Sequence, residues 1–358
     1  MFDRAWPEHY STLVNNVFEQ HAVDLILKRE WSQLLDAGRA WTEAIPDSGI
    51  APLIVITGLL FEGNYREAYE EHDRLFLRSE EADPCPALKA FAQTLVEGHV
   101  GNAGAHLFWG ITLAQIGELE AAMNEYKETI RLAPDEPYAH YFHGQAHQAT
   151  DRLDIAVREY REAVRLAPRN VTMRLNLGSA YHSQGNLESA ILQFRETIKL
   201  NPHEAFAHYN LGLALAEQGR FEPAITAYKE AARLNPRDPL ARFALGNLLE
   251  TKGRLPQAIA EFQAATQIAP DFAGAYSQLG WLYYKQRKMP EAAEALAKAV
   301  QFDEKDSHAL HGLGLAKLAQ GKKDDALNFL QQAYQYEERP DKKILIRGDL
   351  VRIGALPH

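Results

Sequence analysis

Seven glycines, Gly110, Gly144, Gly178, Gly212, Gly246, Gly280 and Gly314, stand at a constant spacing of 34 residues. An alanine follows each of them twelve residues later: Ala122, Ala156, Ala190, Ala224, Ala258, Ala292 and Ala326. A glycine inside a helix costs about 1 kcal/mol relative to alanine, so a recurring one has to be compensated by packing. Two helices that cross where neither carries a bulky side chain supply that compensation. A fixed period of this length marks an architecture in which each unit buries its apolar face only against its neighbours. The pattern predicts a stack of helical hairpins.

Cutting the chain at Ala103 yields seven units that begin at Ala103, Pro137, Val171, Ala205, Pro239, Ala273 and Ser307, the last ending at Pro340. Each unit holds two apolar-periodic segments. Between them stands Gly117, Gly185, Gly219, Gly253 or Gly321, where a helix has to end with φ > 0. Pro223, Pro256 and Pro290 follow such turns, at helix starts where a missing N–H is harmless. Pro134, Pro168, Pro202, Pro236 or Pro270 closes the unit, with Glu304 and Glu338 in their place in the last two. Tyr126, Tyr160, Phe194, Tyr228 and Phe262 lie four residues after the alanine, on the same face of the second helix.

These residues resemble the tetratricopeptide repeat, a helix-turn-helix unit of this length. The small residues, the aromatic positions and the closing proline all match, over about two-thirds of the chain. The resemblance implies an all-α fold, a right-handed solenoid of antiparallel hairpins whose first helices line a concave groove. His143 and His147 depart from it, standing where Leu and Tyr are usual, and Lys317 replaces an aromatic.

Residues 1–102 carry 17 acidic and 8 basic side chains, against 31 and 30 in the remainder. The period continues faintly there. Trp31, Trp41 and Pro46 fit a degenerate unit over 15–48, and Gly63, Tyr65 and Ala68 fit one over 49–82. Ile56 takes the small position of the latter, so its helices must be wider apart or shifted. Asp83-Pro84-Cys85-Pro86 opens an extra helix out of phase. An unrelated helical domain is the alternative for this region. At the other end, Ile344, Leu345, Leu350, Val351 and Ile353 predict a helix in 341–358 that caps the last repeat, with Lys342, Lys343, Arg347 and Arg352 facing water.

Carried over from the family position by position, the groove-facing residues include Tyr138, Tyr141, Gln145, Leu175 and His182 in the second and third units. Phe206, Tyr209, Leu213, Leu240, Phe243 and Asn247 follow, then Trp281, Tyr284 and Lys285. Asn176 and Asn210 match positions where family members bond an extended peptide's backbone, while Phe142, Ala244 and Gln278 break that series. The lining is aromatic and nearly uncharged. Family members that grip a C-terminal carboxylate use lysines and an arginine over three consecutive units, and no three units here supply them. An apolar groove suits a hydrophobic peptide or an amphipathic helix, with Tyr141, Tyr209, Phe243, Trp281 and Tyr284 as the expected anchors. The outer face or residues 1–102 is the competing surface, and self-association through groove or N-terminal segment is the competing function.

Other chemistry finds little support. The net charge of -10 argues against a surface that tracks nucleic-acid phosphates. Gly312-Leu313-Gly314 belongs to the repeat rather than to a dinucleotide site, and no phosphate loop or nucleophile elbow is present. His140, His143 and His147 share one helix at metal-ligand spacing, yet His106 and His208 recur at the His140 position, which marks a packing preference. No metal or cofactor is expected. Cys85 is the only cysteine, and with no signal pattern or apolar run of spanning length the chain reads as a cytoplasmic, non-catalytic binder of proteins or peptides.

Overall fold

The computed structural model describes residues 31–44, 55–56, 58–59, 67–68, 92–93, 96–97 and 100–356. Among them there are sixteen α-helices and no strand. The chain divides into two compact units, Met1–Gly185 and Asn186–His358. The first holds α1 (Trp31–Ala44), α2 (Ala103–Gln115), α3 (Leu119–Leu132), α4 (Pro137–Ala149), α5 (Leu153–Leu166) and α6 (Val171–Ser183). The second holds α7 (Leu187–Leu200), α8 (Ala205–Glu217), α9 (Phe221–Leu234), α10 (Pro239–Thr251), α11 (Leu255–Ile268), α12 (Ala273–Lys285), α13 (Met289–Phe302), α14 (Ser307–Ala319), α15 (Lys323–Tyr336) and α16 (Pro340–Arg352). Helices of 13 and 14 residues alternate from α2 to α15, each pair joined by a short turn. The result is an all-α repeat solenoid of antiparallel hairpins.

Local chemistry sets where these helices start and stop. Asn102 and Asn170 accept hydrogen bonds from the N–H groups of Ala105 and Met173 at 2.8 and 3.0 Å, which satisfies otherwise orphaned donors. Asp306 does the same for His308 and Ala309. Pro137, Pro239 and Pro340 occupy first helical positions. Five hairpin turns pass through a glycine with φ between 71 and 84°. In the two hairpins that lack it, Asp151 (φ 59°) and Arg287 (φ 63°) take the same left-handed conformation, which costs a residue with a Cβ about 1–2 kcal/mol.

The repeated glycines have a specific partner. A Cβ built on Gly110, Gly144, Gly212 or Gly246 lies 2.6–2.9 Å from the ring of Tyr126, Tyr160, Tyr228 or Phe262. On Gly280 and Gly314 it meets Leu296 and Leu330 at 2.5 and 2.7 Å. The glycine therefore makes room for the bulky residue four positions after the alanine. The alanine brings the helices close from the other side, with the Ala156 and Ala326 carbonyls within 3.3 Å of the same point. Tyr126, Tyr160 and Phe262 are among the largest fully buried side chains.

In the first unit, Leu35, Val55, Ile56, Leu59, Ala68, Ala92 and Val96 form one cluster with Ala105 and Phe108 of α2. The close approach there falls at Gly58, where a Cβ would meet Leu35 Cβ at 2.8 Å. Ile56 is fully buried two residues earlier. Gly63, Tyr65, Pro46 and Asp83 to Pro86 lie outside the described residues, as do the side chains of Trp31 and Trp41. In the second unit α16 buries Ile346 and Leu350 against Leu310, Leu330 and Ala333. Ile344 and Leu345, expected on the covering face, are instead 69% and 63% exposed.

Two substitutions test this account by urea unfolding followed by circular dichroism. Gly246→Ala is expected to lower stability. The methyl overpacks Phe262 at a cost of about 1–3 kcal/mol, against a helix-propensity gain of about 1 kcal/mol, and adding Phe262→Leu recovers part of the loss. Arg287→Gly is expected to raise stability by roughly 0.5 kcal/mol, because relief of the left-handed strain exceeds the backbone entropy that glycine adds.

Candidate functional site

The groove-facing positions separate into those that pad their own hairpins and those left open. Tyr141 is 5% exposed. Its ring lies 5.9 Å from that of Tyr160 and its hydroxyl accepts hydrogen bonds from Gln145 and Asn176 at 2.7 and 3.1 Å. Tyr209 on Tyr228 and Phe243 on Phe262 repeat that ring pair, each at 5.7 Å. The fifth residue of the first helix thus seals the aromatic that sits on the glycine. Tyr141, expected as an anchor, is a buried core residue of its own hairpin.

Trp281 is also committed. Its ring stacks on His308 at 4.8 Å, its Nε1 donates to the His308 carbonyl at 3.1 Å, and a Cβ on Gly312 would strike the indole at 2.9 Å. Gly312 is the concession that lets this indole wedge between α12 and α14. Burial holds the His308 imidazole below its usual pKa, neutral under the indole. Tyr284 meets Trp281 edge-on at 5.7 Å, and Lys285 donates to Glu250 at 2.6 Å, which leaves that part of the lining without net charge.

What stays open lies elsewhere. In the second unit Phe206 and Leu240, at the same position of successive first helices, are 56% and 46% exposed. Asn210, Leu213 and Asn247 are half-buried on the same two helices. In the first unit Gln145 lines a cleft of about 230 Å³ floored by Tyr126 and Phe142 and walled by Ile111 and Leu119. Tyr138, Leu175 and His182 are half-buried.

A polar bracket that the spacing alone did not reveal recurs at the fourth residue of the first helices. His140 places Nδ1 2.8 Å from Glu159 and Nε2 3.3 Å from the Pro134 carbonyl. His106 repeats this with Glu125 and the Val100 carbonyl at 2.7 and 3.1 Å. Arg174 reaches the Pro168 carbonyl, His208 that of Pro202, and Arg242 reaches Glu261. A histidine or arginine at this point reaches the second helix, the linker before the hairpin, or both. The recurrence was visible in sequence; its partners, 19 residues later and 6 earlier, were not.

His140, Glu159, His143 and His147 form one buried cluster. Glu159 also lies 3.6 Å from His143 Nδ1, and one imidazole of the His143–His147 pair donates to the other's Nε2 at 3.0 Å. Burial works against the His140 imidazolium, but the Glu159 carboxylate and the Pro134 carbonyl outweigh it and raise its pKa. Burial, and then the neighbouring His143, Arg152 and Lys127, push His147 down to about 4, with Glu159 opposing. Burial favours protonation of Glu159, yet its hydrogen bonds to His140 and His143 hold it well below the usual carboxylate range. No group of three or more His, Cys, Asp and Glu among the described residues is arranged to hold a metal ion.

The signs follow by linkage. The folded chain prefers neutral His147, so that stability is present above about 6.5, the unfolded value, and drains away as pH falls to about 4. The Glu159 contribution disappears lower still, and the His140 contribution has the opposite sense, fading as pH rises through its raised value. Each pKa unit corresponds to about 1.4 kcal/mol; allowing for solvent screening, roughly 1–2 kcal/mol rests on His147. Protection factors of the α4 and α5 amides, taken relative to the intrinsic exchange rate at each pH, are therefore expected to fall between pH 6.5 and 4, and far less in His147→Leu.

An array of stacked hairpins, sealed by side-chain packing and with open patches on its first helices, defines a helical-repeat protein. The family model described as the Cilia and flagella-associated protein 70 C-terminal domain, a tetratricopeptide-repeat model, matches residues 77–313, more than half of the chain. The chain belongs to that tetratricopeptide-repeat family.

Solved structures of the same kind are similar to it. A tetratricopeptide repeat protein from Parabacteroides merdae is 20% identical, with a TM-score of 0.50, over 73% of this chain and 98% of that one. The APC/C hetero-tetramer Cut9-Hcn1 is 16% identical, TM-score 0.51, over 84% and 55%. MamA is 24% identical, TM-score 0.43, over 48% and 94%. At these identities the likeness speaks to fold alone. No curated protein matches the chain. No helix among the described residues is long and apolar enough to cross a membrane.

Proposed function

We propose that this chain is a non-catalytic interaction scaffold that captures a hydrophobic peptide or an amphipathic helix along the groove-facing side of its first helices. Tetratricopeptide folds serve in general as protein–protein interaction scaffolds, so the class of function follows from the family. The finer reading rests on Phe206 and Leu240. A phenylalanine and a leucine left half open at one repeat position, in hairpins that seat Tyr228 and Phe262 on their own glycines, form an apolar stripe of the kind that binding surfaces expose. Asn210, Leu213 and Asn247 complete it with neutral donors and apolar surface, and the Lys285–Glu250 pair cancels the charge beside it. The cleft at Gln145 in the first unit offers a separate seat for one bulky side chain.

In this reading residues 103–340 are the seven-repeat body, 341–358 the terminal helix and tail, and 1–102 an acidic region of degenerate repeats that adds selectivity. Burying the open part of Phe206 and Leu240 contributes about 1 kcal/mol each, so removing both lowers affinity about tenfold or more.

The experiment compares proteins captured from the source organism's lysate by the intact chain and by Phe206→Ser/Leu240→Ser, with thermal unfolding as a control. Loss of specific partners at unchanged melting temperature is expected, and an unchanged set of partners sinks the groove reading. Trp281→Ala serves as the contrast. It is expected to lower the melting temperature, because the indole is part of the packing between α12 and α14.

A further inference from the structure

The lining of the Phe206–Leu240 stripe is neutral, but its rim is acidic. Glu204 and Asp238 hold the N-cap positions of α8 and α10, each two residues before the exposed Phe206 or Leu240. Asp238 accepts the Leu240 N–H at 2.9 Å, which keeps its carboxylate at the foot of that leucine. Glu204 makes no side-chain bond to its own helix, and its carboxylate accepts from Asn201 at 3.5 Å. Glu217 stands exposed at the other end of α8.

The charge of this rim reaches the groove side of the hairpin. Burial, and then the Asp238 carboxylate, raises the pKa of the Tyr209 phenol; burial, and then Tyr209 and Glu217, raises that of Tyr228. These two rings are the pair, 5.7 Å apart, that covers Gly212. Few cations oppose the carboxylates. Of the basic side chains on α8, α10 and the linkers before them, His208 bonds the Pro202 carbonyl and Arg242 pairs with Glu261 at 3.1 Å. His203 and Arg237 are exposed, and among the described residues neither forms an ion pair with Glu204 or Asp238. Lys285 reaches in from α12 and is taken by Glu250 at 2.6 Å. The rim thus carries Glu204, Glu217 and Asp238 against Arg237 as its permanent cation.

We propose that the ligand of this stripe is a cationic apolar segment of another protein, in which lysine or arginine flanks the apolar residues that cover Phe206 and Leu240. The inference rests on the groove reading above and adds the chemistry of its ligand. Lysine and arginine suit the place, because their aliphatic stems lie along apolar surface while the charged end reaches a carboxylate. An acidic segment meets like charge at the same rim, which suppresses it as a partner. Two copies of this chain, each with a net charge of -10, repel one another as wholes.

The test uses the full chain and random peptides displayed on phage, selected in parallel on the intact chain and on Phe206→Ser/Leu240→Ser. Peptides that prefer the intact chain are expected to carry an excess of Lys and Arg beside apolar residues. The strongest of them is made as a labelled peptide, together with a version in which every Lys and Arg is replaced by Gln, and both are titrated. Exposed ion pairs are individually weak, so two or three of them give roughly a tenfold preference for the charged version, and added salt diminishes it. In Glu204→Gln/Glu217→Gln/Asp238→Asn that preference is expected to fall to about twofold. Asparagine keeps the capping acceptor of α10, and circular dichroism verifies unchanged helicity. Selected peptides without the basic excess, equal binding of the two versions, or a preference that survives the triple variant each overturn the inference and leave the groove reading in place; the last assigns the attraction to the net charge of the chain. If no peptide prefers the intact chain to Phe206→Ser/Leu240→Ser, the groove reading fails and takes this inference with it. Self-association that Phe206→Ser/Leu240→Ser abolishes gives the stripe to a second copy and overturns the inference as well.

Discussion

The seating of one bulky side chain on one glycine organises six of the hairpins between residues 103 and 336. A ring or leucine from the second helix occupies the space that a Cβ would take on the first, at 2.5–2.9 Å from where that atom would be. The glycine loses about 1 kcal/mol of helix propensity and gains the burial of a tyrosine, phenylalanine or leucine, about 1.5–3 kcal/mol. The exchange is favourable only if both helices hold their register, which the alanine four residues before the bulky side chain enforces by keeping the axes close. Everything else in a unit is arranged around that contact: the ring of Tyr141, Tyr209 or Phe243 closes over it, and the His140-type bracket pins the second helix at its far end.

Function is then limited to what the hairpins leave over. Tyr141, Tyr209, Phe243 and Trp281 pack against neighbouring rings of their own unit, and the proposed binding surface is Phe206 and Leu240 in one unit with the cleft beside Gln145 in the other. Repeat folds make this distinction sharp, because the same position can be compared across several copies. A residue that packs identically in three hairpins belongs to the hairpin. A residue that is apolar and exposed where other copies are small or polar, as Phe206 and Leu240 are against Thr172 and Gly274, is free to serve a ligand.

The buried histidines show how a degenerate copy acquires a property the consensus lacks. His143 and His147 replace aliphatic or aromatic core positions and bring ionisable groups within reach of Glu159 and His140. One helix thereby holds an imidazole stabilised as a cation and another held neutral, by the same physical quantities with opposite balance: desolvation wins at His147, and the carboxylate and carbonyl win at His140.

Periodicity was enough to establish the helical hairpin, its length, its turn glycine and the family, because those depend on contacts within 34 residues that every copy repeats. The glycine series announced a tight crossing, but which atoms filled it came from the structure: the spacing pointed to small against small, where the packing is a ring or a leucine against backbone. The tertiary structure alone separated open groove residues from committed ones, since Tyr141 and Phe206 are both aromatics at groove-facing positions, and what distinguishes them is whether a neighbouring helix already covers the ring. It alone showed that α16 turns Ile344 and Leu345 to solvent. Helical spacing specifies a face but not what stands opposite it, and the apolar surface of a helix is satisfied only by elements distant in the chain.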